Sequence, residues 1–286
     1  MAGFTERYIN PFTDFGFKKL FGEEPNKDLL LDFLNELLKE EQGEIKQITY
    51  IKNEQLGSSD LDRKAIFDIY CENEKGEKFI VELQKAKQNF FKDRTLFYAT
   101  FPIREQAKRA DWDYQLKAVY TVAILDFVFD EDRNDVGKYR YDVKLTDIET
   151  CQVFYDKLTF IYLEMPKFNK PIEELSTRFE KWLYIIGNLH KLDRMPEKLT
   201  EKIFEKLFDV AEIANFTPDQ LISYEDSLKY YRDMKNSLDT AFEEGMVKRE
   251  TEIVLLMHRK GQSPTQISEL TGIALAEVVA MIQTQS

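Results

Sequence analysis

Apolar and polar residues recur along this chain with two different periods. Residues 26–40 (NKDLLLDFLNELLKE) set leucines and a phenylalanine three and four apart behind Pro25, which predicts an amphipathic helix. Residues 45–52 alternate as a strand. Residues 65–71 and 78–84 are rich in β-branched and aromatic side chains and flank turn-forming ENEKGE, so they predict a β-hairpin. A helical stretch follows over 88–110, bent at Pro102. Residues 117–129 (KAVYTVAILDFVF) are almost continuously apolar, as in a strand covered on both faces, and 139–145 and 158–166 add two more strands. This succession predicts an α/β domain with a mixed sheet over residues 1–168. Residues 169–244 read as helical throughout, and residues 245–286 as the end of a long helix followed by a short helical pair. In that pair Ser263 caps a helix with Pro264 at its first position, and Gly272 turns the chain into AEVVAMIQ, a helix-turn-helix pattern.

The hairpin carries an anomaly. With Glu74, Lys75 and Gly76 as a three-residue loop closed by a left-handed glycine, residues whose numbers sum to 150 oppose each other. Asp68 then faces Glu82. By alternation one face carries Ile66, Asp68, Tyr70, Ile80, Glu82 and Gln84, and the other Phe67, Ile69, Cys71, Phe79, Val81 and Leu83. Two carboxylates with β-carbons about 5 Å apart repel by roughly 3 kcal/mol at an effective dielectric near 20, and burial adds to that. Two arrangements offset the repulsion. A divalent cation can sit between the oxygens, magnesium fitting best because it takes one or two protein carboxylates and completes its shell with water and phosphate. Alternatively Arg63, Lys64 or Lys85 neutralises one or both groups.

Composition narrows the chemistry. The 286 residues include only two histidines and two cysteines, Cys71 and Cys151, which leaves zinc and Ser-His-Asp chemistry poorly supplied and fits reduced thiols. The N-terminus lacks a basic-then-apolar leader and no run of about 18 apolar residues occurs, so a cytoplasmic protein without membrane contact is expected. The formal net charge of −12 argues against a general nucleic-acid coat. Acid is concentrated in the middle of the chain, however, and the run KAKQNFFKDR directly after Gln84 supplies Lys85, Lys87, Lys92 and Arg94. Parity turns Lys85 to the opposite face if the strand continues, leaving Lys87 or a helix residue such as Arg94 as the better candidate for a cation beside the carboxylates. Arg94 and Tyr98, four apart, share one helix face and suit a phosphate or plain surface packing equally.

Asp68 followed after 13 residues by Glu82, Leu83 and Gln84 resembles the D…(D/E)xK signature of the PD-(D/E)xK nucleases, in the variant with Gln in place of Lys. The neighbourhood sharpens the likeness: NPFTDFGFKKLFG near the start, DRKAIFDIYCENEKGEKFIVELQ, then DRTLFYAT, and RKGQSPTQISELTGI near the end. Together these are similar to the Rpn family of recombination-promoting nucleases and transposases. The resemblance implies a restriction-endonuclease-like mixed sheet flanked by helices and a magnesium-dependent DNA endonuclease, calcium or manganese being the other ions expected. It implies Asp68 and Glu82 as metal ligands and catalytic residues, with Gln84 orienting the attacking water. Asp14 is a further candidate ligand, its competing reading being a helix cap ahead of FGFKKLF. Lys87, Arg94 and Tyr98 are the candidate phosphate contacts. Gln84 carries no charge, so the competing reading is a weak or inactive nuclease fold that serves as a DNA-binding or protein-interaction module. The final helix contains no Lys or Arg, so packing or homodimerisation through the C-terminal helices is the expectation there more than base reading.

Overall fold

The computed structural model describes residues 6–41, 43–52, 54–55, 65–107 and 114–284. They gather into two compact units, 1–231 and 232–286. The first is built on a six-stranded sheet in the order β1-β4-β5-β6-β8-β7, with β1 Ile48–Tyr50, β4 Ile69–Asn73, β5 Lys78–Gln84, β6 Val119–Leu125, β7 Arg140–Thr146 and β8 Val153–Glu164. Strands β5, β6 and β8 run parallel and the outer pairings are antiparallel. A two-residue pair, β2 (Glu54–Gln55) with β3 (Ala65–Ile66), stands apart. A mixed sheet flanked by helices is the α/β fold that the pattern predicts.

β6 is buried at every position, which is why its sequence shows no alternation. On one side of the sheet α3 (Phe91–Gln106) presses Phe91 and Ala99 onto Val119, Ala123 and Leu125 of β6 and onto Phe160 and Tyr162 of β8. The helix runs through Pro102 and starts at Phe91, later than the pattern suggests, because Phe90 takes a left-handed conformation with φ 61°. β8 begins earlier than expected, at Val153, since residues 153–157 pair only with β7 as an arm beyond β6 and are largely exposed, which removes the apolar signal.

The helices after the sheet share a core with those before it. α1 (Asp14–Phe21), α2 (Lys27–Leu37), α4 (Arg178–Asn188) and α5 (Lys202–Ala211) converge on Trp182, whose ring lies 5.7 Å from Phe21, 5.9 Å from Phe33 and 5.2 Å from Phe204. The buried indole N–H donates to Asp32 Oδ2 at 2.7 Å, and Arg178 pairs with the same carboxylate. The NPFTDFG segment is a folding device. Thr13 caps α1, accepting from Gly16 N at 3.0 Å and donating to Asn10 O at 2.7 Å. A Cβ on Gly16 would come within 2.2 Å of Asn10 O. Asp14 is therefore the first residue of α1, and the capping role that competed with its functional reading belongs to Thr13.

α6 is a single helix over Pro218–Arg259. In the second unit its residue Val254 forms a small core with Ile267 of α7 (Pro264–Thr271) and Val278 of α8 (Leu275–Gln283). Ser263 and Gln266 form a capping box, and Gly272, φ 76°, closes α7.

Candidate active site

Four cross-strand pairs, Ile69 with Val81 through Glu72 with Lys78, follow the sum of 150, and Gly76 closes the loop at φ 79° with its N–H on Asn73 O. The ladder ends at Ile69. Asp68 lies just outside it, where the chain bends away from the hairpin toward β3, and the two carboxylates meet through backbone contacts. Leu83 N–H donates to Asp68 Oδ2 at 2.8 Å and Asp68 N–H donates to Glu82 Oε1 at 3.2 Å. The bend also overturns the face assigned to Phe67. Its ring packs with Tyr70, Ile80 and Phe101, 5.2 Å from Tyr70, because strict alternation stops where the strand does.

Glu82 sits two residues before the C-terminal end of β5, with Asp68 against it, and Asp126 N–H after β6 ties down Gln84 O at 2.9 Å. That is the end of a parallel strand at which ligands of α/β sheets gather. Burial, then the charge of Asp68, pushes the Glu82 carboxyl up to about 8, against the Asp68 N–H and the positive charges of Arg94 and Lys18. Burial raises Asp68 too, with the Asp14 carboxylate adding to it and the Leu83 N–H and the Lys18 and Lys85 charges opposing. The site thus holds two desolvated like-charged groups that resist ionising together.

Around them the structure gathers more than the motif names. Gln84 is buried, donates from Nε2 to Ala86 O at 2.7 Å and accepts at Oε1 from Arg94. Arg94 also donates to Gln88 at 2.5 Å and lies 5.7 Å from the centre of the Tyr98 ring. Asp14 is exposed and pairs with Lys18 at 3.0 Å. Lys87 is engaged elsewhere, on Asp130. Lys85, set aside by parity, is a site cation: β5 ends at Gln84, so alternation no longer governs it. Its ammonium feels Asp14 and Asp68, burial lowers its pKa, and it lies 5.7 Å from the centre of the Tyr230 ring. Arg63 and Lys64 fall outside the described residues. Lys18 was legible only as the residue four after Asp14 on an amphipathic helix, a spacing shared by countless surface pairs.

With this geometry in place, the comparison with protein families is decisive. A family described as PD-(D/E)XK nuclease family transposase matches residues 11–241. The chain belongs to that family. The match spans the sheet, the helices that cover it and the first part of α6, so Asp68, Glu82 and Gln84 lie inside it. Searches of curated proteins and of solved structures return no significant match. Family membership points to nuclease activity with DNA as substrate. Among the described residues no helix is long and apolar enough to cross a membrane.

Proposed function

We propose that this member of the PD-(D/E)XK transposase family is a metal-dependent DNA endonuclease acting in recombination or element movement. The observation that carries the reading is the pairing of half-buried Asp68 with buried Glu82 near the end of β5, held together by reciprocal backbone hydrogen bonds. The donor set fits magnesium. Among the described residues no cluster of three or more His, Cys, Asp or Glu could hold an ion, and magnesium commonly uses only one or two protein carboxylates, with water and substrate phosphate completing its octahedron. Asp68 and Glu82 would hold it, and Asp14, one turn from Lys18, is the carboxylate that could join through water. When bound, such an ion lowers the pKa of its water and neutralises charge on the phosphoryl oxygens.

The chain's own residues do the rest. Gln84 keeps one amide hydrogen and one oxygen lone pair beyond its bonds to Ala86 and Arg94, enough to orient a water. The charge that Gln84 lacks is supplied by Arg94, fixed against it, and by Lys85, each placed to attract the strand's phosphate. Burial, then the charge of Glu82, raises the Tyr98 hydroxyl, so it remains a neutral hydrogen-bond donor. Asp68→Ala and Glu82→Ala, assayed for plasmid cleavage in magnesium, should each lose more than about a hundredfold in rate, beyond the effect of removing a merely supporting group. Full cleavage by Asp68→Ala would overturn the assignment and favour a nuclease-fold binding module.

A further inference from the structure

The first turns of α6 dock on the elements that carry the site. Leu221, Tyr224, Ser227, Leu228 and Tyr231 recur three and four apart and form the turned-in side of the helix, buried or half-buried. Three of these side chains bond to elements bearing site residues. Tyr224 Oη accepts from Asn10 N–H at 2.9 Å and Ser227 Oγ accepts from Phe15 N–H at 3.0 Å, at the start of α1 beside Asp14. The Tyr231 hydroxyl, on a residue only 8% exposed, donates to Asp126 Oδ2 at 2.8 Å, and the Asp126 N–H in turn holds Gln84 O. Tyr230, one residue before this anchor, is 65% exposed, and the Lys85 ammonium lies 5.7 Å from the centre of its ring.

Lys85 differs from the lysines around it. Lys18 pairs with Asp14, Lys87 with Asp130 and Lys92 with Glu131, whereas among the described residues no carboxylate forms an ion pair with Lys85. Burial disfavours its charge and the Asp14 and Asp68 carboxylates favour it. The side chain follows the last residue of β5, so the sheet does not fix it, and its flexible four-carbon stem has many rotamers that carry the charge away from Asp68. A salt bridge would fix the ammonium but neutralise it. An aromatic face attracts the cation while leaving its charge and N–H donors available to a phosphate.

We propose that Tyr230 is the positioning residue for Lys85, holding the ammonium over its ring beside Asp68, and that α6, anchored through Tyr231 on Asp126, thereby completes the active site. The inference rests on the nuclease reading of that site and adds to it a residue from far outside the hairpin that bears the carboxylates. The two adjacent tyrosines divide the work: one is buried and fixes the helix, the other is exposed and meets the cation.

The test is a double-mutant cycle on the rate of plasmid cleavage in magnesium, with urea unfolding of every variant to check the fold. Tyr230→Leu, at a largely exposed position, should leave stability near that of the native chain and lower the cleavage rate roughly tenfold. Tyr230→Phe keeps the ring and should cleave at close to the native rate. In a Lys85→Ala background, Tyr230→Leu should have no further effect, because the ring acts through the ammonium. An unchanged rate in Tyr230→Leu, the same tenfold loss with and without Lys85, or a Tyr230→Phe as slow as Tyr230→Leu overturns the positioning role. Glu82→Ala reports on the nuclease reading separately. Cleavage that requires Glu82 but gives an additive cycle sinks the role of Tyr230 alone, while a native chain that cleaves no DNA in magnesium or manganese sinks the nuclease reading and this role with it.

Discussion

Glu82 is the residue on which the site's energetics turn. A carboxyl whose proton affinity is raised on folding, to about 8 here, binds more protons in the native than in the unfolded state. Stability without metal therefore falls as pH rises from the ordinary carboxylate value near 4.3 through about 8, with each pH unit in that window worth up to about 1.4 kcal/mol. Glu82→Gln removes the ionising group, so urea unfolding in EDTA should find the variant more stable than the native chain at pH 8 and close to it at pH 5. An identical pH dependence in the two proteins would show that Glu82 ionises normally. Asp68 contributes in the same direction, since burial raises it as well. A divalent cation would compete with the proton on Glu82, so the ion's stabilising effect should grow between pH 6 and pH 8.

Among the elements, the hairpin shows what patterning could and could not disclose. Its register followed from the left-handed demand at Gly76, and four strand pairs obey it. A Cβ at Gly76 would lie 3.7 Å from Lys117 Cγ, without a clash, so Gly76→Ala isolates the backbone cost and should destabilise by about 1–2 kcal/mol in chemical denaturation. A neutral result would mean that another turn geometry sets the register. The nearness of Asp68 to Glu82 was legible for this reason, although the ladder stops one residue short of Asp68 and backbone hydrogen bonds join the two instead. The side of Phe67 and the place of Lys85 were not, because both lie past the ends of strands, where a bend decides direction and alternation has no say. Asp14 shows a similar limit: Thr13 and Asp14 are both good capping residues, and the choice fell to Thr13 through its hydroxyl's bonds to Asn10 O and Gly16 N, a local turn that residue preferences alone do not single out. The extra length of β8 was hidden for a different reason, as an arm exposed on both faces carries no burial pattern to read.

At the scale of the molecule, the segments that most resemble the nuclease family divide between scaffold and chemistry. NPFTDFG builds the tight start of α1, with Gly16 against Asn10 O, and sets the paired Asp14 and Lys18 where their charges act on Asp68. The helices α4 and α5 close the Trp182 core behind that start. The sheet sets the carboxylate pair at the end of β5, and α3 lays Arg94 across Gln84. The proposed function depends on one point above all: two repelling, desolvated carboxylates are kept together to hold a divalent cation. The most direct test is the melting temperature of the native chain and of Asp68→Asn in EDTA, magnesium and calcium. An ion that binds only the folded site stabilises it by RT ln(1 + [L]/Kd), so at a hundredfold excess over Kd the gain is about 2.7 kcal/mol. The expected result is a concentration-dependent rise in the native chain that Asp68→Asn abolishes, with the mutant at least as stable as the native chain in EDTA. A native chain indifferent to both ions, or a mutant that responds as the native chain does, would contradict it.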